Sequence, residues 1–459
     1  MNNTLLIAKG LVASSGVFCR NDILVHNGKI VKVAKNIKSF GAPELNCENL
    51  LVLPGIIDPH VHFQLNVSGT LHTCEDFESG SRAAVAGGVT TVIDYTQQSP
   101  GENLIKGIKE RMRQAKNKMY TDYSFHCILP SPEKLKNAES QMAAAKKIGI
   151  TSFKIFMAYK KRGLMAENAE ILKLLEISRR LKVLICLHAE SEEIISFLHE
   201  KYKTKKFSGA TFLNFTHPEE SEWEAVSRAC AFAKIQKAPL YFVHLSCGKS
   251  AEIIKNLRSK KLIAETCPQY LVLSNDKLKG QTGHYFATCP PLRNRKNSLI
   301  LWKMIGENIV RTIGTDNCTF TKSQKDNFNG KPETLPMGMP GCQTLLPLLY
   351  TFGVKKGKIT LRKLVEIMCE NPAKIMGLYP KKGVIREGSD ADFAVVDPAK
   401  RQKVNYQNLQ HKTDWSPYEG MVLSGFAKYT ILRGRIIAKD GKIISKPVGK
   451  FIRRKNPIL

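Results

Sequence analysis

Residues 55–63 read GIIDPHVHF, a short apolar run that closes on two histidines one residue apart. If the run is a strand, residues i and i+2 face the same side, so His60 and His62 present two imidazoles to one point. That spacing alone does not establish a metal site, because a histidine pair on a strand can equally be structural or exposed. Seven further runs of the same kind follow: TTVIDY (90–95), YSFHCIL (123–129), TSFKIFM (151–157), VLICLHAE (183–190), LYFVHLS (240–246), LIAETCP (262–268) and IVRTIGTD (309–316). Segments of helical character separate them, among them EDFESGSRAAVAGG, LIKGIKERMRQAKNK and ENAEILKLLEISRRL.

Strands alternating with helices predict an α/β fold, and both a (β/α)8 TIM-like barrel and an open doubly wound sheet give that local alternation. The polar residues favour the barrel. His60 and His62 close the first run, Lys154 lies in the fourth, His188 ends the fifth, His244 the sixth and Asp316 the eighth. A barrel gathers the carboxyl ends of all its strands at one mouth, whereas an open sheet could leave the first and last of these residues far apart. The predicted barrel occupies 54–382. Residues 1–53 and 383–459 read as short strands and turns with Asn-Gly and Asp-Gly pairs, and predict one small β-sandwich domain built from both chain ends, with a tail.

A chain of 459 residues with 43% hydrophobic and 24% charged residues is expected to fold throughout, and it is too long for a single core. No leader segment and no apolar run near membrane-spanning length is visible, so a cytoplasmic protein without a membrane partner is expected. The net charge of +30 comes from lysines and arginines spread along helix-like segments rather than grouped with exposed aromatics. It reads as a solvated basic surface and not as a nucleic-acid site. Twelve singly scattered cysteines read as reduced core residues.

Taken singly, His188 and His244 would be hydrogen-bonded core histidines. Four histidines at the ends of three predicted strands, together with Asp316, suit zinc or a similar divalent ion, and a buried aspartate is costly without a cation beside it. Lys154 lies between Phe153 and Ile155, where an ammonium should be expelled or neutralised. Its stem could be buried with the head reaching solvent or an acid. In this company the preferred reading is a neutral amine that takes up carbon dioxide to form a carbamate, a carboxylate-like ligand able to bridge two metals.

These residues, in this order, resemble the hydantoinase and dihydropyrimidinase branch of the amidohydrolase superfamily, the cyclic amidases. The similarity runs over nearly the whole chain: PGIIDPHVHF, EDFESGSRAAVAGGVTTVIDY, FKIFMAYK, HAE, VHLS, ETCPQYL and CPPLR follow in the family's serial order, with NPAKIMGLYPKKGVIREGSDADFAVVDP and SPYEGMVLSGFAKYTILRGRIIAKDGK resembling its closing segments. The resemblance implies two divalent metal ions, expected to be zinc. His60, His62 and Asp316 would hold one, His188 and His244 the other, and N6-carboxylated Lys154 would bridge them. It also implies a hydroxide between the metals as nucleophile, Asp316 as the proton carrier, and Tyr159 as a donor to the developing oxyanion.

Cys289 in CPPLR and Met337 in LPMGMPG stand where catalytic relatives commonly carry serine and asparagine at positions that contact the substrate ring. The implied activity is hydrolysis of 5,6-dihydropyrimidines or 5-substituted hydantoins to N-carbamoyl amino acids by a homotetramer, with the small cyclic amide as partner. Gln64 occupies the position at which dihydroorotases usually carry an arginine for a substrate carboxylate. Allantoin-like ureides remain an alternative. A non-catalytic scaffold homologue is the reading of a different class, opposed by the presence of all six ligand positions.

Overall fold

A computed structural model of the chain describes residues 4–14, 16–39, 41–69, 71–130 and 132–459. Residues 1–3 of the expected N-terminal strand segment lie outside the described residues. Eight parallel strands form the central sheet: β1 (Ile56–Asp58), β2 (Val89–Tyr95), β3 (Asp122–Ile128), β4 (Ser152–Phe156), β5 (Leu184–His188), β6 (Leu240–Phe242), β7 (Leu262–Thr266) and β8 (Val310–Ile313). Each pairs with the next in sequence. The eight runs read from the sequence are these eight strands. All seven residues of β2 are buried, as expected for a parallel strand covered on both faces.

The circle closes between β8 and β1 just beyond their strand ends. Val61 bridges Asn317, Asp316 N donates to His60 O at 2.9 Å, and Thr315 N donates to Asp58 Oδ1 at 3.0 Å. The connecting helices carry local start signals. Asp76 caps helix Phe77–Ala86 by accepting from Ser79 N at 2.8 Å, and Ser79 Oγ in turn accepts from Asp76 N.

Strands end earlier than the sequence suggests. β1 stops at Asp58 because Pro59 has no N–H to continue the ladder, and β6 and β8 stop at Phe242 and Ile313. His60, His62, His244 and Asp316 therefore stand on the loops that follow the strands. His188 is the last residue of β5, and Lys154 is central in β4.

Strands from both chain ends share one mixed sheet, in which Phe393–Lys403 runs antiparallel to Leu51–Pro54 and Thr4–Ser14 pairs with Val17–His26. Its hairpins use left-handed residue pairs: Asn27 and Gly28 have φ of 48° and 75°, and Asp440 and Gly441 have φ of 50° and 79°. These are the backbone values that two-residue hairpin turns require. A buried ionic cluster ties this sheet to the barrel, with Lys382 Nζ 2.7 Å from Asp122, 2.5 Å from Asp392 and 3.2 Å from Asp390, and Arg433 paired with Asp122.

The barrel floor has its own apolar core of Ile57, Ile93, Leu184, Cys186, Tyr241 and Ile263, closed from below by Ile375, Met376 and Ile452. Ile452 belongs to the C-terminal tail. All twelve cysteines are free, and no helix among the described residues is long and apolar enough to cross a membrane.

Candidate metal centre

The loop after β1 crosses the mouth of the barrel in a conformation fixed by a buried ion pair. Arg111 and Asp94 meet at 2.8 Å, 2% and 1% exposed respectively. Asp94 Oδ2 accepts from Phe63 N at 2.8 Å, while Arg111 donates to Phe63 O at 2.8 Å and to Gln64 O at 3.2 Å. The backbone of the His60–Gln64 segment is thus held from both its donor and its acceptor sides. Gly314 makes room for it: a Cβ at that position would stand 2.6 Å from His60 Cβ and 2.7 Å from Glu265 Oε2.

His60 Nε2 and His62 Nε2 stand 3.2 and 3.1 Å from Asp316 Oδ1. Across the mouth, His188 Nδ1 and His244 Nε2 are 3.0 Å apart. Two nitrogens on one tetrahedral zinc, with bonds of about 2.0–2.1 Å, stand roughly 3.3 Å apart, so both clusters have the spacing of ligands that share an ion. The His60 and His244 rings lie 5.4 Å apart between centroids, which makes the two clusters neighbours. His244 and Asp316 hold φ of 40° and 52°, a left-handed backbone that non-glycine residues adopt at a cost and keep where the surroundings enforce it.

The donor chemistry fits divalent cations. His60 Nε2, which faces Asp316 at 3.2 Å, is a buried nitrogen without a hydrogen-bond partner, an arrangement that costs free energy unless something electrophilic is bound nearby. Burial opposes ionisation of Asp316, yet His60 and His62 overcome it and hold the carboxyl well below its usual range. Burial likewise disfavours the His60 cation, but Glu265 and Asp316 outweigh it and raise its pKa to about 9. The carboxylates beside His60 therefore favour positive charge at that ring, and a metal there would enter by displacing its proton. Lys154 is 2% exposed, with Nζ 5.5 Å from the Tyr95 ring centroid and 5.1 Å from that of Phe156. Burial lowers its pKa to about 8, so a substantial fraction of the amine is neutral and nucleophilic near physiological pH.

Two carboxylates behind the histidines are absent from the sequence reading. Glu265 Oε1 accepts from His60 Nδ1 at 2.7 Å and from His244 N at 3.0 Å, and its Oε2 accepts from Tyr241 Oη at 2.7 Å. Glu190 Oε2 lies 2.9 Å from His188 Nε2. Such partners fix which ring nitrogen carries hydrogen and leave the other free toward a metal. Both acids sit inside or at the end of apolar runs, LIAETCP and VLICLHAE, where a carboxylate is costly unless paired. That was the signal available to find them.

Tyr159 follows β4 with φ of 68°, its ring 5.0 Å from that of His188, and its hydroxyl hydrogen-bonds to Cys289. Burial raises the pKa of that hydroxyl well above the ordinary value, keeping it a proton donor. Cys289 Sγ in turn donates to Glu190 Oε2 at 3.1 Å. Met337 packs instead against the apolar cluster of Phe212, Leu278, Ala287 and Leu335. The segments carrying Cys289 and Met337 are joined by Gly338 N donating to Ala287 O at 2.9 Å and by buried Lys325, whose Nζ donates to Pro336 O at 2.9 Å and to Ala287 O at 3.4 Å.

Residues 51–437 match the amidohydrolase family. A D-hydantoinase of Geobacillus stearothermophilus is 35% identical over 457 residues, covering 98% of this chain and 96% of that protein. A D-hydantoinase of Ralstonia pickettii is 31% identical, covering 98% and 99%. The crystal structure of a dihydropyrimidinase from Brevibacillus agri superposes with a TM-score of 0.95 at 30% identity, covering 99% of each chain.

Proposed function

The chain belongs to the amidohydrolase family, and from that premise we propose how it works as a metal-dependent hydrolase of cyclic amides: through two divalent ions, zinc by preference, on 5,6-dihydropyrimidines or 5-substituted hydantoins. His60, His62 and Asp316 would hold one ion, His188 and His244 the second, and Lys154, carboxylated on its amine, both. The observation that carries the reading is the 3.0 Å approach of His188 Nδ1 to His244 Nε2 beside the His60, His62 and Asp316 cluster, all at the mouth where barrels of this kind do chemistry.

Bound divalent ions would acidify water and polarise the scissile carbonyl. The remaining tasks fall to the protein. Asp316, held ionised, accepts the proton of the attacking water and returns it to the ring nitrogen as the C–N bond breaks, leaving an N-carbamoyl amino acid. Tyr159, kept protonated by burial, donates to the oxygen on which negative charge develops. The Cys289 and Met337 segments flank the ring and shape the preference for its side group. The reading includes a cytoplasmic location and a homotetramer, the latter tested by light scattering on the purified protein.

The activity test is ring opening of dihydrouracil, followed by loss of ultraviolet absorbance, with protein produced in the presence of zinc and bicarbonate. Hydantoin and allantoin are run beside it. Turnover of dihydrouracil or hydantoin is expected; turnover of allantoin alone would move the substrate class to allantoin-like cyclic ureides, and silence on all three would overturn the reading.

A further inference from the structure

The C-terminal tail does not stop at the small sheet but docks beneath the barrel. Ile452 N donates to Tyr123 O at 2.7 Å, Arg454 N to Gly149 O at 2.9 Å and Lys455 N to Gly377 O at 2.8 Å. Glycines allow the close approach. A Cβ on Gly377 would stand 1.9 Å from Lys455 O, and one on Gly449 would stand 1.8 Å from Thr121 O. The tail carries a guanidinium into the floor: Arg454 is 4% exposed, and the partners it meets there are neutral. Its Nε donates to Ser124 Oγ at 3.0 Å, and its Nη2 donates to Phe125 O and to Ser152 Oγ at 2.8 Å.

An arginine can only donate, so Ser152 Oγ accepts from Arg454, and at the other end of the relay Pro59 O, a carbonyl, can only accept. Ser152 Oγ, accepting from Arg454, is free to give its own hydrogen to His126 Nδ1, 2.6 Å away. With Nδ1 accepting, the hydrogen of the neutral His126 ring sits on Nε2, which is 2.9 Å from Pro59 O. Burial, reinforced by Arg454, holds His126 well below the usual imidazole pKa, which agrees with a neutral ring. Pro59 immediately precedes His60. The ring of His126 also stacks on Tyr95 at 4.8 Å, and Tyr95 stacks on His62 at 4.7 Å.

We propose that Arg454 is a positioning residue for the metal-holding loop, acting through Ser152 and His126 on the Pro59–His62 backbone from the opposite end of the barrel. The proposal rests on the reading of His60 and His62 as metal ligands. The tail is then part of the structure that orients the site.

Ser152→Ala breaks the relay while leaving Arg454 its bonds to Ser124 and Phe125, so the tail stays docked. Two readouts are taken on this variant: the protonation of the His126 nitrogens by NMR of protein labelled with 15N-histidine, which needs no metal, and zinc affinity by competition with a chelator. The expected result is a His126 Nδ1 signal shifted by loss of the hydrogen bond from Ser152, with the ring hydrogen still on Nε2 facing Pro59 O, together with zinc binding weakened about tenfold, as for loss of other groups that orient ligands. Arg454→Met should weaken zinc binding likewise, and Arg454→Lys should restore part of it. Unchanged zinc affinity in Ser152→Ala overturns the proposal whatever the ring does. An unchanged ring overturns it as well. A wild-type protein that binds no zinc refutes the metal reading itself, and the NMR signal then still decides whether the relay exists.

Discussion

Glu265 Oε1 accepts from His60 Nδ1 at 2.7 Å, and the carboxylate is completely buried. The contact spans 205 residues of sequence and determines which nitrogen of His60 faces Asp316. Glu265→Gln keeps the shape but removes the charge that stabilises the donating ring. Metal affinity should fall about 10- to 100-fold, as for other partners of metal-holding histidines. Competition with a chelator measures it, and wild-type affinity would contradict the role.

Lys154 offers a harsher test of the bridge. Lys154→Ala should lose bound metal and hydrolysis together, because the alanine cannot form the proposed carbamate. A short carboxylic acid added to the variant should return part of both. Full activity without added acid would remove Lys154 from the site.

Tyr159 should behave differently, since its hydroxyl is assigned to the reacting oxygen and not to a metal. Tyr159→Phe should leave metal content unchanged and lower kcat by about 10²–10³-fold, the usual loss for an oxyanion donor. Elemental analysis beside steady-state kinetics separates the two effects. An unchanged kcat would exclude Tyr159 from the chemistry.

The cluster around Lys382 makes a prediction about stability. Burial disfavours the ammonium, but Asp392, Asp122 and Asp390 overcome this and raise its pKa above the ordinary value. Lys382 therefore contributes its full stabilisation below the unfolded pKa of about 10.4 and loses it only as pH rises through the higher folded value. Lys382→Met takes the cation from buried Asp392, while Arg433 still pairs with Asp122 and Lys29 with Asp390, and should cost about 3–5 kcal/mol near neutral pH. Asp392, already raised by burial, then loses the ammonium that lowers it, the folded state binds more protons than the unfolded one, and stability should climb as pH falls from 8 to 5. Urea unfolding at both pH values checks the sign. Equal losses at pH 5 and 8 would contradict it.

The barrel was legible because burial on both faces of a parallel sheet leaves continuous apolar runs, and TTVIDY became a strand with every residue from Val89 to Tyr95 buried. His60, His62, His188, His244 and Asp316 were legible because histidines and an aspartate are conspicuous at the ends of such runs. Strand ends were not, since Pro59 and the left-handed backbone of His244 and Asp316 place these residues and the histidine pair on loops. Partnerships were least legible. Arg454 is 302 residues from Ser152, and in GKFIRRKNPIL it looks like one more charge of a basic tail. Only the fold brings it under the barrel. Asp58, Asp94 and Glu265 could have been flagged as carboxylates inside apolar runs, although nothing local names their partners.

Counting metal against turnover tests the metal-dependent cyclic amidase most directly. Protein stripped with a chelator is titrated with zinc in the presence of bicarbonate, and bound zinc and hydantoin hydrolysis are measured on the same samples. Hydrolysis should be absent from the stripped protein and should rise to its maximum as two zinc ions bind per chain. Hydrolysis that persists in metal-free protein, or saturated zinc binding that brings no hydrolysis of hydantoin or dihydrouracil, would contradict it.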